Sequence, residues 1–186
     1  MYPETNQADQ ALRMTSEAAL EKLMKEYGDT IIQLVYLIVK DRSMAEDITQ
    51  EVFLKAFRGL HTFRGESSMK TWLYRIAINE SNKYLRSWSF KHIFSTFKKE
   101  DVPDRLDDEQ VEDTVIGKWT KEQVAEKVMA MSPQYRQVIV LHYYEDLQIK
   151  EIAQVLNVSE EVVRTKLHRA RKQFRSLLAR EELEWT

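Results

Sequence analysis

Residues 148–172 read QIKEIAQVLNVSEEVVRTKLHRARK, and no other stretch of the chain restricts the fold so tightly. Ile149, Ile152, Ala153 and Leu156 recur at helical spacing and predict a short amphipathic helix, with a small residue where a second helix crosses closest. Asn157 tolerates a left-handed turn, Val158 can plug the core beneath it, and Ser159 can cap the next helix. Val163, Leu167, Ala170 and Phe174 then give that helix one buried face. Together these positions predict a helix-turn-helix. Opposite the apolar stripe fall Glu161, Arg164, Thr165, His168, Arg169 and Lys172, a mixture able to read base edges in a major groove and hold its phosphates. A plain helical hairpin accounts for the apolar spacing, but not for cap, turn and cationic outer face at once.

What surrounds the motif is helical too. The 186 residues include only 4 Gly and 3 Pro, so sandwiches, barrels and dinucleotide folds lack their turn residues. With 43% apolar residues, one compact domain or two small ones can build a core. The absence of cysteine removes disulfides, thiolate catalysis, iron-sulfur clusters and cysteine zinc sites, and fits a reducing, cytoplasmic setting. Residues 1–10 are polar, without the pattern of a secretory signal. The greasiest stretch, residues 31–39, is far short of the roughly 20 apolar residues that span a bilayer, and reads as buried helix.

The formal net charge of -2 conceals two opposed blocks. Residues 100–113 hold eight acidic side chains and one basic, whereas residues 164–180 hold seven basic and none acidic. The acidic run, interrupted by Pro103, is expected to be a flexible linker. The basic run marks a phosphate-binding surface or a merely solvated helix face. The expected organisation is all-α: an N-terminal extension to residue 16, a helical domain over 17–88, a linker over 89–117, a second helical domain over 118–180, and a tail over 181–186. Phe90, Ile93, Phe94 and Phe97 are unusual for a linker and have no assigned role.

In the first domain, Ser43 and Glu46 have the spacing of a capping box, which predicts a helix from there to about residue 60. Ala45, Ile48, Val52, Phe53, Ala56, Phe57 and Leu60 form its apolar face. Asp47, Gln50, Glu51, Leu54 and Arg58 project from the other. Leu54 is either an isolated exposed leucine or the apolar centre of a docking patch with a charged rim. The carboxylates of Glu46, Asp47 and Glu51, with no histidine beside them, read as a solvated face rather than a metal site. A second helix is expected from Ser67 or Ser68 to about Trp88, buried through Met69, Trp72, Leu73, Ile76 and Ala77. Arg75, Asn79, Asn82 and Arg86 line up on a different face, as ordinary surface polarity or as a row for phosphates and base edges.

In the second domain, residues 121–131 and 133–144 predict two further helices, with Pro133 at a first-turn position after Ser132. The run Tyr143, Tyr144, Glu145, Asp146 reads as a helix end. The four histidines sit in separate segments, and no metalloprotease, nucleophile-elbow or P-loop motif occurs, which argues against an enzyme, a metal and a cofactor.

Four passages in order resemble the bacterial RNA polymerase sigma factors of the extracytoplasmic function (ECF) group, in the sigma-70 family. They are AEDITQEVFLKAF from Ala45, FRGESSMKTWLYRIAIN from Phe63, SPQYRQVIVLHYYEDL from Ser132, and the helix-turn-helix ending LHRARK. The resemblance implies an alternative sigma factor of sigma2-like and sigma4-like domains, directing transcription in a stress response. It implies that Asp47, Gln50, Glu51, Leu54 and Arg58 meet the clamp helices of the polymerase largest subunit, with the flap region as a further contact. It also implies that the loop over 63–69, including Ser67, captures a flipped minus-10 base with Phe63, Ile76 and Asn79. Arg75, Asn82 and Arg86 would hold the backbone nearby, an extension from the helix-face argument. Glu161, Arg164, Thr165, His168, Arg169 and Lys172 would address the minus-35 element. An anti-sigma factor, often membrane-borne, is a further implied partner. The alternative is a helix-turn-helix regulator that binds an operator without polymerase; such proteins usually dimerise, and the chain has no sustained heptad seam.

Overall fold

The computed structural model describes residues 7–92 and 120–184, all helices and turns, with no strand among them. The order is α1 (Gln7–Val39), α2 (Arg42–Gly59), a 3-10 turn (Leu60–Thr62), α3 (Met69–His92), α4 (Lys121–Ala130), α5 (Pro133–Ile139) continued by a π-helical turn (Val140–Tyr144), α6 (Ile149–Leu156) and α7 (Glu160–Glu184). The acidic segment, Ile93, Phe94 and Phe97 lie outside the described residues, while Phe90 belongs to the last turns of α3. α1 begins at Gln7, within the expected N-terminal extension.

α1, α2 and α3 pack mutually as the first lobe, and α4 to α7 form the second around α5 and α7. α1 stops where Lys40 takes a left-handed φ of 62° without any glycine, its amide still bonded to the Tyr36 carbonyl at 2.8 Å. The chain then enters α2 through Asp41, whose carboxylate accepts the Met44 amide at 3.0 Å. The cap is therefore Asp41 and not the expected Ser43. Ser43 lies exposed in the first turn, and Glu46 pairs instead with Arg42 at 3.5 Å. The buried face of α2, Ala45, Ile48, Val52, Phe53 and Ala56, agrees with the sequence periodicity, although Phe57 and Leu60 are only half-buried.

α3 starts after Gly65, at φ 72°, and Ser68 caps it by accepting the Thr71 amide at 3.0 Å. Its burial departs from expectation. Leu73 and Ala77 are buried as expected, but so are Thr71, Tyr74, Ile78 and Ser81, while Met69, Trp72 and Ile76 are only half-buried. α3 is covered on two sides, by α1 and α2 on one and by α6 on the other. The two expected lobes thus meet, and one cluster of buried side chains runs continuously from Leu23 in α1 to Ala170 in α7.

Arg136 joins them at a second place. The residue is 2% exposed, and its guanidinium donates to the carbonyls of Met129 and Met131 at the end of α4, at 2.9 and 3.0 Å, and to Ile38 in the last turn of α1 at 2.6 Å. Unpaired carbonyls at helix C-termini attract cations, so one side chain serves two helix ends. Burial pulls its pKa down to about 10, and its charge, after burial itself, lowers that of neighbouring Lys40.

Candidate nucleic-acid interface

Three surfaces carry the residues singled out from sequence. The first is the outer face of α2, where Asp47, Gln50, Leu54 and Arg58 are exposed and Glu51 is half-buried beside Lys55, 3.5 Å away. Leu54 is 46% exposed and is the one apolar member of a charged surface.

The second is the loop after the 3-10 turn together with α3. Phe63 is half-buried against Trp72, with ring centroids 5.4 Å apart and planes tilted by 50°. The hydroxyl of Ser67 donates to the Ser68 carbonyl at 3.4 Å. Asn79 is exposed one helical turn beyond Arg75, and Ile76 is half-buried between the α3 core and the surface. The row of cations and amides divides. Asn79 and Arg86 face solvent, whereas the guanidinium of Arg75 donates through Nε to the Gln154 carbonyl of α6 at 2.9 Å. The Asn82 side-chain oxygen accepts from Gln137 Nε2 of α5 at 2.5 Å.

Next to this row lies a cluster that no periodicity pointed out. Lys70 Nζ donates to the Glu145 backbone carbonyl at 2.9 Å, stands 3.8 Å from its carboxylate, and lies 5.3 Å from the centroid of the Tyr74 ring. The Tyr74 hydroxyl donates to the Glu145 carboxylate. Burial, that hydrogen bond and the nearby negative charge together raise the Tyr74 pKa far above the usual phenol value, so it stays a donor. Further along α3, Glu80 takes Lys55 of α2 at 2.6 Å and Lys83 at 2.9 Å. Burial alone would raise its pKa, but the hydrogen bonds and charges of the two lysines outweigh it and hold the carboxyl below its ordinary value.

The third surface is α7. The helix-turn-helix geometry is as expected: Asn157 adopts φ 53° and ψ 50°, the Val158 amide returns to the Ala153 carbonyl at 3.1 Å, and Ser159 accepts the Val162 amide at 3.3 Å. α6 opens with the Glu151 carboxylate accepting the Gln148 amide at 2.9 Å, a cap that none of the sequence patterns above predicts. Val163, Leu167 and Ala170 are buried and Phe174 is half-buried. Glu161, Arg164, Thr165, Arg169 and Lys172 are exposed together and His168 is half-buried beside them. Arg164 pairs with Glu160 at 3.0 Å; an exposed pair one helical turn apart is weak and does not hinder the guanidinium from turning to another acceptor. An α-helix presenting such a face fits a major groove.

Among the described residues, no group of three or more histidine, aspartate or glutamate side chains could hold a metal ion, and no helix is long and apolar enough to cross a membrane.

Residues 23–89 match the family model of sigma-70 region 2, and residues 121–174 match that of sigma-70, region 4. Among curated proteins of Bacillus subtilis, the ECF RNA polymerase sigma factor SigX is 33% identical, over 90% of this chain and 88% of its own. The ECF sigma factor SigW is 30% identical, over 86% and 89%. The RNA polymerase sigma factor YlaC is 28% identical, over 92% and 98%. Two solved structures share the fold. The sigma factor RpoE of Bartonella quintana, in complex with the anti-sigma factor NepR, has a TM-score of 0.65 at 17% identity, over 86% of this chain and 96% of that one. CnrH, in complex with the cytosolic domain of CnrY, has a TM-score of 0.62 at 21% identity, over 92% and 97%.

Proposed function

Because the chain belongs to the sigma-70 family, as an ECF-type sigma factor that directs promoter-specific transcription, we propose that its three surfaces divide that work. The α2 face of Asp47, Gln50, Glu51, Leu54 and Arg58 docks on the clamp helices of the polymerase core, with the second lobe meeting the flap region. Its support is an exposed leucine inside a charged rim, the anatomy of a small docking patch. The α7 face of Glu161, Arg164, Thr165, His168, Arg169 and Lys172 reads the minus-35 element. Phe63, Ser67, Ile76 and Asn79 hold a base drawn out of the minus-10 element, while Arg75, Asn82 and Arg86 grip its backbone.

The observation that carries this reading is the recognition-helix face of α7, six polar and charged side chains aligned outward on a capped helix-turn-helix. The energetics are consistent. Extruding a base costs a few kcal/mol, which a fitting pocket partly returns, so opening is confined to sequences that fit. Non-specific DNA affinity is mainly electrostatic, and a chain of net charge -2 has little of it, leaving bulk affinity to the polymerase. The chain acts by binding, in the cytoplasm, without a catalytic centre of its own. An anti-sigma factor, membrane-anchored or free, is the partner proposed to restrain it; RpoE was solved with the anti-sigma factor NepR.

Run-off transcription with purified core polymerase tests the assignment. Promoter-specific product that depends on the chain is the expected result. Tight operator binding by the chain alone, with no start-site selection by core, would instead mark a polymerase-independent regulator.

A further inference from the structure

Asn79 and Arg86 face solvent on α3, and a cation outside the row chosen by periodicity faces it with them. This is Lys83, whose side chain is 58% exposed. At about 100° per residue, Asn79, Lys83 and Arg86 fall within about 60° of the helix surface. Lys83 stands about 6 Å along the axis from Asn79, at about 1.5 Å per residue. Phosphates recur about every 3.4 Å of axis along one strand of a duplex. A strand whose base is held at Asn79 therefore carries a phosphate past Lys83.

The Lys83 ammonium already has a partner, and the arrangement around that partner lets it leave. It donates to both carboxylate oxygens of Glu80, at 2.9 and 3.3 Å. An ion pair this open to water is weak, and a phosphate oxygen is at least as good an acceptor. The obstacle to such an exchange is the carboxylate left behind, because the Glu80 side chain is only 12% exposed and a buried charge without a partner is costly. A second helix removes that obstacle. Lys55 of α2 reaches the same carboxylate at 2.6 Å and stays when Lys83 departs. Lys55 is itself steadied from its other side by Glu51, 3.5 Å away. Glu80 thus has two cations where one is enough.

Resting on the functional reading above, we propose that Lys83 is a further contact to the promoter backbone: it leaves Glu80 for a phosphate beside the base held at Asn79, while Lys55 keeps the abandoned carboxylate paired. A lysine in this position carries no base code. It fixes the register of the strand on α3 and adds affinity equally for every sequence.

Full-length variants, each saturated with core polymerase, test this by anisotropy titration of a labelled promoter fragment unpaired over the minus-10 element, repeated across salt concentrations. Each phosphate contact on a single strand contributes about 0.7 to the slope of log affinity against log salt. K83A should lower the slope by about that amount and weaken binding about five-fold at about 0.1 M salt, equally for all minus-10 sequences and at wild-type helicity by circular dichroism. K83R keeps the charge and should keep the slope. K55M leaves Glu80 stranded whenever Lys83 departs, so it should lower the slope by a similar amount, and K83A should cost little more in that background. Wild-type slope and affinity in K83A overturn the proposal. So does a weaker K83A with an unchanged slope, which marks a structural role, or a loss confined to one minus-10 base. K83R falling as far as K83A, or K55M with the wild-type slope, overturns it as well. A wild-type holoenzyme that neither binds the fragment nor gives promoter-specific run-off refutes the functional reading instead.

Discussion

Leu54 offers the sharpest quantitative test of the polymerase-docking face. Burying a whole leucine side chain is worth about 1.5–3 kcal/mol, and at 46% exposure roughly half of that is still available to a partner. Leu54→Ala should then weaken binding to core polymerase by about 1 kcal/mol, or about five-fold. Leu54→Glu removes the same contact and also forces a third carboxylate into a drying surface beside Asp47 and Glu51. An unpaired buried charge costs several kcal/mol, so affinity should fall at least about 100-fold. The fold should barely respond, because the outer half of Leu54 touches nothing in the chain; a change within about 0.5 kcal/mol moves the melting temperature by about 2 °C. Fluorescence-anisotropy titration of the labelled chain with core, alongside thermal melts, measures both quantities. Leu54→Glu binding within about two-fold of wild type, with an unchanged melt, would show that Leu54 is not the centre of the docking face. A collapsed melt would show instead that Leu54 belongs to the core.

The remaining predictions address other parts of the molecule. Arg164→Ala should cost about 1–3 kcal/mol in minus-35 binding if the guanidinium pairs with a base, and the loss should depend on the base at one position; uniform loss across sequences would make it a phosphate contact. Asn79→Ala should flatten preference at a single minus-10 position in competitive run-off assays, and unaltered preference there would remove Asn79 from the pocket. Glu80 has a folded-state pKa below its unfolded value, so its contribution is complete above the ordinary carboxylate range and disappears as pH falls through the lowered folded value. Glu80→Gln should cost about 1 kcal/mol at neutral pH and reduce the acid dependence of chemical denaturation; an unchanged acid slope would count against the Lys55–Glu80–Lys83 network. Arg136→Met deprives three carbonyls, two of them buried, of their donor and should destabilise the chain by about 2–4 kcal/mol in urea unfolding, with a loss below about 1 kcal/mol contradicting that role.

Local rules read well where one helix decides its own structure. The turn at Asn157, the Ser159 cap and the α7 stripe of Val163, Leu167 and Ala170 each depend on neighbours a few positions away, and each is as the sequence predicts. Rules fail where a second element intervenes. Tyr74 and Ile78 belong to no apolar stripe in common with Trp72 and Ile76, yet both are buried in a helix that also meets the second lobe, where Tyr74 finds Glu145, 71 positions later. Ser43 and Glu46 satisfy a capping pattern, but the left-handed Lys40 ends α1 so abruptly that Asp41 reaches the cap position first. The seam residues Lys70, Gln137 and Glu145 carry no motif at all, since a polar contact between distant segments leaves no period behind it. Both margins of the Arg75 to Arg86 row look alike in sequence, and only the packing of the second lobe separates Asn79, left open to solvent, from Asn82.

The π-helical turn over Val140–Tyr144 has its own consequence for how such chains diverge. Its wide ring, closed by the Glu145 amide on the Val140 carbonyl at 3.1 Å, accommodates one residue more than an α-turn would. Deleting any one of those five positions would restore ordinary winding and swing everything downstream by about 100° around the axis. Glu145 would then point away from Lys70 and Tyr74 with every side chain of the seam still encoded. Loss or gain of a single codon at this bend would therefore re-aim the Glu145 side chain without replacing any of the groups it meets.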